Sequence, residues 1–76
     1  MIQVYSTDTC GWCNKLKAYL HANNIEFEEI NVAASDENYD RLLSVSGQSG
    51  VPVTVFDSGE VVVGFDEPRL DSLLRQ

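Results

Sequence analysis

The sequence predicts an α/β domain in the order β-α-β-α-β-β-α, with a mixed four-stranded sheet covered by three helices. Three observations carry that reading. Apolar spacing switches between strand and helix periods along the chain. Turn and cap residues fall between the periodic stretches. The length of 76 residues suits a single domain over 1–76.

Each element has its own justification. Ile2–Ser6 alternates as a strand, and 7–9 is a polar loop. A helix then spans about Gly11–Ala22, with Cys13, Leu16 and Leu20 recurring on one face. Asn23 and Asn24 can take the left-handed conformation that ends a helix. Residues 26–31 form a second strand. Phe27 and Ile30 fall out of phase there, which suggests an edge strand or an early end. Ser35 or Asp36 can cap a second helix in which Tyr39, Leu42 and Leu43 share a face, and Gly47 stops it. Residues 53–56 make a third strand. Asp57-Ser58-Gly59 turns the chain, and 60–63 pairs back as a hairpin. Asp66 can cap the last helix, Pro68 suits its first turn, and Leu70, Leu73 and Leu74 form its apolar stripe. The first half is then a crossover unit with parallel strands, and the second half adds the antiparallel hairpin.

Composition narrows the function. The formal net charge of −7 argues against nucleic acid or an anionic membrane as partner. The acidity either aids solubility or filters partners by charge. No run approaches the roughly 20 apolar residues that span a bilayer. The N-terminus reads as a strand rather than a signal peptide, so a cytoplasmic, thiol-reducing setting is expected. A monomer is the expected state.

The chemistry is expected where the first strand gives way to the first helix, at Cys10-Gly11-Trp12-Cys13. Unpaired N–H groups and the helix dipole favour an anion at that point, and a thiolate is one. Helix starts and C-x-x-C motifs both lower a thiol pKa from about 8.5. Cys10 is the expected nucleophile, and Cys13, one turn further in, the resolving thiol. The pair is too close in sequence to constrain much chain entropy, so a structural staple is poorly motivated. A structural zinc wants four ligands. With no third cysteine and a single histidine, His21, on a different bearing, no metal site is expected.

Two further segments stand out. Val51-Pro52 is either an ordinary strand start or a cis proline facing the cysteines, whose preceding backbone groups could pair with an extended substrate. Gly64-Phe65-Asp66-Glu67 serves as a turn and N-cap. Its N–H groups could also anchor a charged end of a substrate.

Together these residues resemble the glutaredoxins, including short bacterial members, over nearly the whole chain. Residues 5–13 are similar to that family's first strand, loop and active-site helix start. Residues 46–52 are similar to the segment ending in its cis proline, and 63–67 to its Gly-Gly-x-Asp-Asp turn. The resemblance implies the thioredoxin/glutaredoxin fold and thiol–disulfide exchange, with glutathione as co-substrate and protein disulfides as partners. It implies Cys10 as nucleophile and Val51, before Pro52, as the partner of the cysteinyl backbone of glutathione. It further implies that Phe65 with Asp66 holds the γ-glutamyl end and that Gln48 holds the glycyl carboxylate. Trp12 keeps an aromatic tip beside the sulfur.

Two departures matter. Thr7 stands where family members often carry a lysine that helps hold a glutathione carboxylate, so weak glutathione binding is expected. Gly11 and Trp12 replace the usual Pro and Tyr. The Gly64-Phe65 turn also resembles redoxins that draw electrons from thioredoxin reductase and serve ribonucleotide reductase, so the electron donor stays open. A glutathione-dependent [2Fe–2S] cluster between two subunits is a third reading, left open by Gly11.

Overall fold

The computed structural model describes residues 1–75. The elements are β1 Ile2–Ser6, α1 Gly11–Ala22, β2 Phe27–Asn31, α2 Asp36–Ser46, β3 Val53–Val55, β4 Val61–Val63 and α3 Glu67–Leu74. The four strands form one sheet in the order β2-β1-β3-β4. β1 runs parallel to β2 and antiparallel to β3, and β3 and β4 form the expected hairpin. Strand residues 26, 56 and 60 fall outside the ladders. Each lies at or near a turn, where pairing ends first.

Alternation along β1 divides the core in two. Val4 faces a cluster with Leu16, Leu20, Phe56, Val62 and Leu70, which places α1 and α3 on that side. Tyr5 faces the other cluster with Ile30, Val32, Leu42 and Val53, under α2. β2 is an edge strand, as its broken alternation suggests. Phe27 packs against the first cluster and Ile30 lies in the second, so the two out-of-phase residues serve opposite faces.

Capping follows the sequence closely. The Ser35 hydroxyl accepts from Asn38 N at 3.1 Å, and Asp66 accepts from Arg69 N at 3.4 Å. Gly47 closes α2 in the left-handed region with φ 70°. The apolar face expected on α2 is only partly covered. Only Leu42 is buried on this helix, while Tyr39 and Leu43 stay exposed at 41% and 38%. A three-residue β3 and an equally short β4 offer too little sheet to cover the full apolar stripe. No helix among the described residues is long and apolar enough to cross a membrane.

Candidate functional site

β1 ends at Ser6, a loop follows, and the chain enters α1 with Cys10 as its N-cap. Cys10 has extended backbone angles, φ −95° and ψ 109°, which turn its sulfur back over the first helical turn. The sulfur accepts from Cys13 N at 3.1 Å. An N–H that has no partner within the helix thus faces Cys10 Sγ, in the field of the helix dipole. That arrangement favours a thiolate over a thiol.

Cys10 and Cys13 are joined as a disulfide, with Cα atoms 5.2 Å apart. Cys13 is fully buried, and Cys10 is partly exposed. A substrate can therefore reach Cys10, while Cys13 can reach only Cys10. The asymmetry follows from the helix. Position 13 points to the core face with Leu16 and Leu20, and position 10 lies at the open end.

The loop before Cys10 is fastened from β2. Asn31 donates through its side chain to Asp8 at 3.1 Å and accepts from Ala33 N at 2.9 Å. Ser6, fully buried, donates to Glu29 at 2.7 Å, and Lys17 of α1 pairs with the same carboxylate oxygen at 2.6 Å. The hydrogen bonds from Lys17 and then from Ser6 hold the Glu29 carboxyl below its ordinary range. This link ties the last residue of β1 to α1 one turn beyond Cys13.

Across from the cysteines lies Val51-Pro52, and the bond is cis. The Val51 carbonyl oxygen stands 3.9 Å from Cys10 Sγ. The Pro52 carbonyl accepts from Gly64 N at 2.8 Å, so the turn before α3 is bound to the proline segment. Gly64 has φ 80°, a conformation that a side chain there would strain. Trp12, Val51, Pro52, Gly64 and Phe65 line an open groove of about 260 Å³ beside the disulfide. Trp12 is 58% exposed, and its ring centroid lies 6.3 Å from that of Phe65. Phe65 meets Tyr19 edge-on at 5.7 Å, and Lys15 Nζ stands 4.6 Å over the Trp12 ring.

The fold thus brings Cys10, Cys13, Trp12, Val51, Pro52 and Phe65 together. Other sequence candidates are placed differently. Asp66 adjoins Phe65, but its carboxylate caps α3. Both donors of the Gln48 amide are engaged, one with Ser46 Oγ at 3.1 Å and one with Gly50 O at 3.0 Å, and its oxygen accepts from Gly50 N. Gln48 therefore closes its own loop. Thr7 is half-buried at the end of β1 and does not line the groove. Two residues escaped the sequence reading as site residues. Lys15 follows Trp12 by three positions on a helix, a spacing that could have revealed it. Gly64 was visible only as part of a turn. Among the described residues no group of three or more His, Cys, Asp or Glu side chains could hold a metal, so an iron–sulfur cluster would need ligands from outside this chain.

Comparison with known proteins agrees with this geometry. The model of the Glutaredoxin family matches residues 2–62. A glutaredoxin-like 8.6 kDa protein in the rubredoxin operon of Clostridium pasteurianum is 45% identical over 76 residues, covering 100% of each chain. The crystal structure of a glutaredoxin from Archaeoglobus fulgidus superposes with a TM-score of 0.87 at 28% identity, covering 99% of this chain and 86% of that one. NrdH-redoxin from Escherichia coli, a glutaredoxin-like protein with a thioredoxin-like activity profile, gives a TM-score of 0.80 at 25% identity, with 95% and 92% covered.

Proposed function

The chain belongs to the glutaredoxin family, and we propose that it acts as a dithiol thiol–disulfide oxidoreductase on protein disulfides. The observation that carries this reading is the asymmetry of the pair: Cys10 open at the helix start, Cys13 buried behind it. In the reduced protein the Cys10 thiolate attacks one sulfur of a substrate disulfide. The substrate S–S bond breaks, a mixed disulfide forms, and the first substrate thiolate leaves. Cys13 gives up its proton and attacks Cys10 Sγ, the mixed disulfide breaks, and the second thiolate leaves. Two electrons pass from the protein dithiol to the substrate, and the Cys10–Cys13 disulfide remains for an outside reductant to restore. Such a cycle suits the cytoplasm, where thiols are kept reduced.

The test is mutational. Cys10→Ser should abolish disulfide reduction. Cys13→Ser should accumulate mixed disulfides with substrate, detectable by mass spectrometry. Equal trapping by both variants, or faster alkylation of Cys13 than of Cys10, would overturn the roles.

Glutathione is the reductant and co-substrate that family membership suggests. A second reading has thioredoxin reductase as donor and ribonucleotide reductase as an acceptor. It is favoured by the engaged Gln48 amide and by the likeness to a redoxin with thioredoxin-like activity. NADPH consumption coupled through glutathione and its reductase, or through thioredoxin reductase, separates the two.

A further inference from the structure

We propose that the groove beside Cys10 selects an extended protein segment that carries an apolar side chain next to its redox cysteine and a basic residue close by, in preference to glutathione. This rests on the oxidoreductase reading above and names the substrate class for that site. The groove is walled by the Trp12 and Phe65 rings and floored by Val51 and Pro52, so an aliphatic or aromatic side chain would bury apolar surface there. The aromatic row continues from Trp12 through Phe65 to Tyr19, away from the cysteines.

Charge along this row is uneven. Lys15 covers the Trp12 ring at one end. At the other end Asp66 and Glu67 follow Phe65 directly, and neither is in an ion pair among the described residues. Burial first, then the charges of Asp71 and Glu67, hold the Tyr19 hydroxyl above its ordinary pKa, with Arg75 acting against them. Asp71 is partly answered by Arg75. A lysine or arginine on the incoming segment would find the remaining acids.

Glutathione offers the opposite chemistry. It presents two carboxylates and one ammonium group, and no apolar side chain flanks its cysteine. Its two carboxylates would meet a single cation, Lys15 over the Trp12 ring, and the acids Asp66 and Glu67 after Phe65.

The experiment uses reduced, desalted protein in single-turnover mixing with symmetrical disulfides of short amide-capped peptides: Phe-Cys-Lys, Lys-Cys-Phe, Phe-Cys-Glu and Gly-Cys-Gly, alongside glutathione disulfide. Each rate is divided by the rate of the same disulfide with dithiothreitol, which removes intrinsic reactivity. The better of the two Phe/Lys orders should exceed Gly-Cys-Gly by about tenfold. It should exceed Phe-Cys-Glu by about two- to fivefold at low salt, and this second margin should shrink as salt is added. Trp12→Ala, at an exposed position, should remove most of the Phe advantage without unfolding the chain. Phe65→Ala should do likewise, with circular dichroism as a check on folding. Equal normalised rates for all five disulfides, or glutathione disulfide fastest, would overturn the specificity while leaving the oxidoreductase reading intact. Reduction of none of them would sink both.

Discussion

Cys10 sits where a helix start favours a thiolate, and Thr7, three residues earlier, stands outside the lining of the groove beside it. A lysine at Thr7 would add a cation three residues before Cys10, beyond the one that Lys15 sets over Trp12. Thr7→Lys should lower the Michaelis constant for a glutathionylated substrate a few-fold, since an exposed charge pair is worth about 0.2–1 kcal/mol. Steady-state kinetics of both proteins across a salt series would check this, and unchanged kinetics at low salt would mean that position 7 does not face the ligand. At this scale the sequence was partly legible. Cys10, Cys13 and Pro52 could be placed because a helix start and a strand start are revealed by local pattern. Gln48 was harder to read, because its side chain bonds Ser46 and Gly50, two residues to either side. No local pattern tells an amide aimed at a ligand from one that closes a turn.

Two pairings between elements carry testable stability. Thr54 lies mid-sheet on β3, opposite Val4 and Val62, and faces the cluster under α1 and α3. It is fully buried, and its hydroxyl has no hydrogen-bond partner. Leaving such a group unsatisfied costs about 1–3 kcal/mol, so Thr54→Val should raise stability by about 1 kcal/mol, read as a higher urea midpoint with an unchanged slope. A lower midpoint would mean that the hydroxyl is satisfied in solution. Glu29 joins β2 to β1 and α1 through Ser6 and Lys17. Its pKa lies below the ordinary glutamate range in the fold, through its hydrogen bonds from Lys17 and Ser6, so the fold binds its proton less readily than the unfolded chain does. The resulting stability is present above the unfolded pKa and is lost as pH falls through the folded one. Glu29→Gln should lower stability at pH 7 and flatten the loss between about pH 5 and pH 3 in urea titrations. A parallel pH profile would show that the carboxylate is not the linked group. The element order, the caps at Ser35 and Asp66 and the edge position of β2 were all legible, since each depends on neighbours in sequence. The exposure of Tyr39 and Leu43 was not, because it depends on how little sheet two three-residue strands provide.

For the molecule as a whole, the net charge of −7 works against a small core. Among the described residues Lys17, Arg69 and Arg75 are in ion pairs, as is the N-terminus with Asp57. Asp8, Glu26, Glu28, Asp36, Glu37, Asp40, Asp66 and Glu67 are not, so the fold gathers repelling carboxylates that the unfolded chain spreads apart. Added salt weakens both contributions. Surface pairs are worth about 0–1 kcal/mol each, and their loss is partial, while the repulsion acts over the whole surface and is screened beyond about 8 Å at physiological ionic strength. Repulsion should therefore dominate. The thermal midpoint should rise by several degrees between about 10 and 500 mM sodium chloride, since 1 kcal/mol corresponds to roughly 4–8 °C in a domain of this size. Glu26→Gln, which removes one exposed acid at the edge of the sheet, should raise the low-salt midpoint and shrink the salt response. Scanning calorimetry on both proteins decides the matter. A midpoint that falls with salt would mean that the ion pairs outweigh the repulsion, and the acidity would then be no burden on the fold.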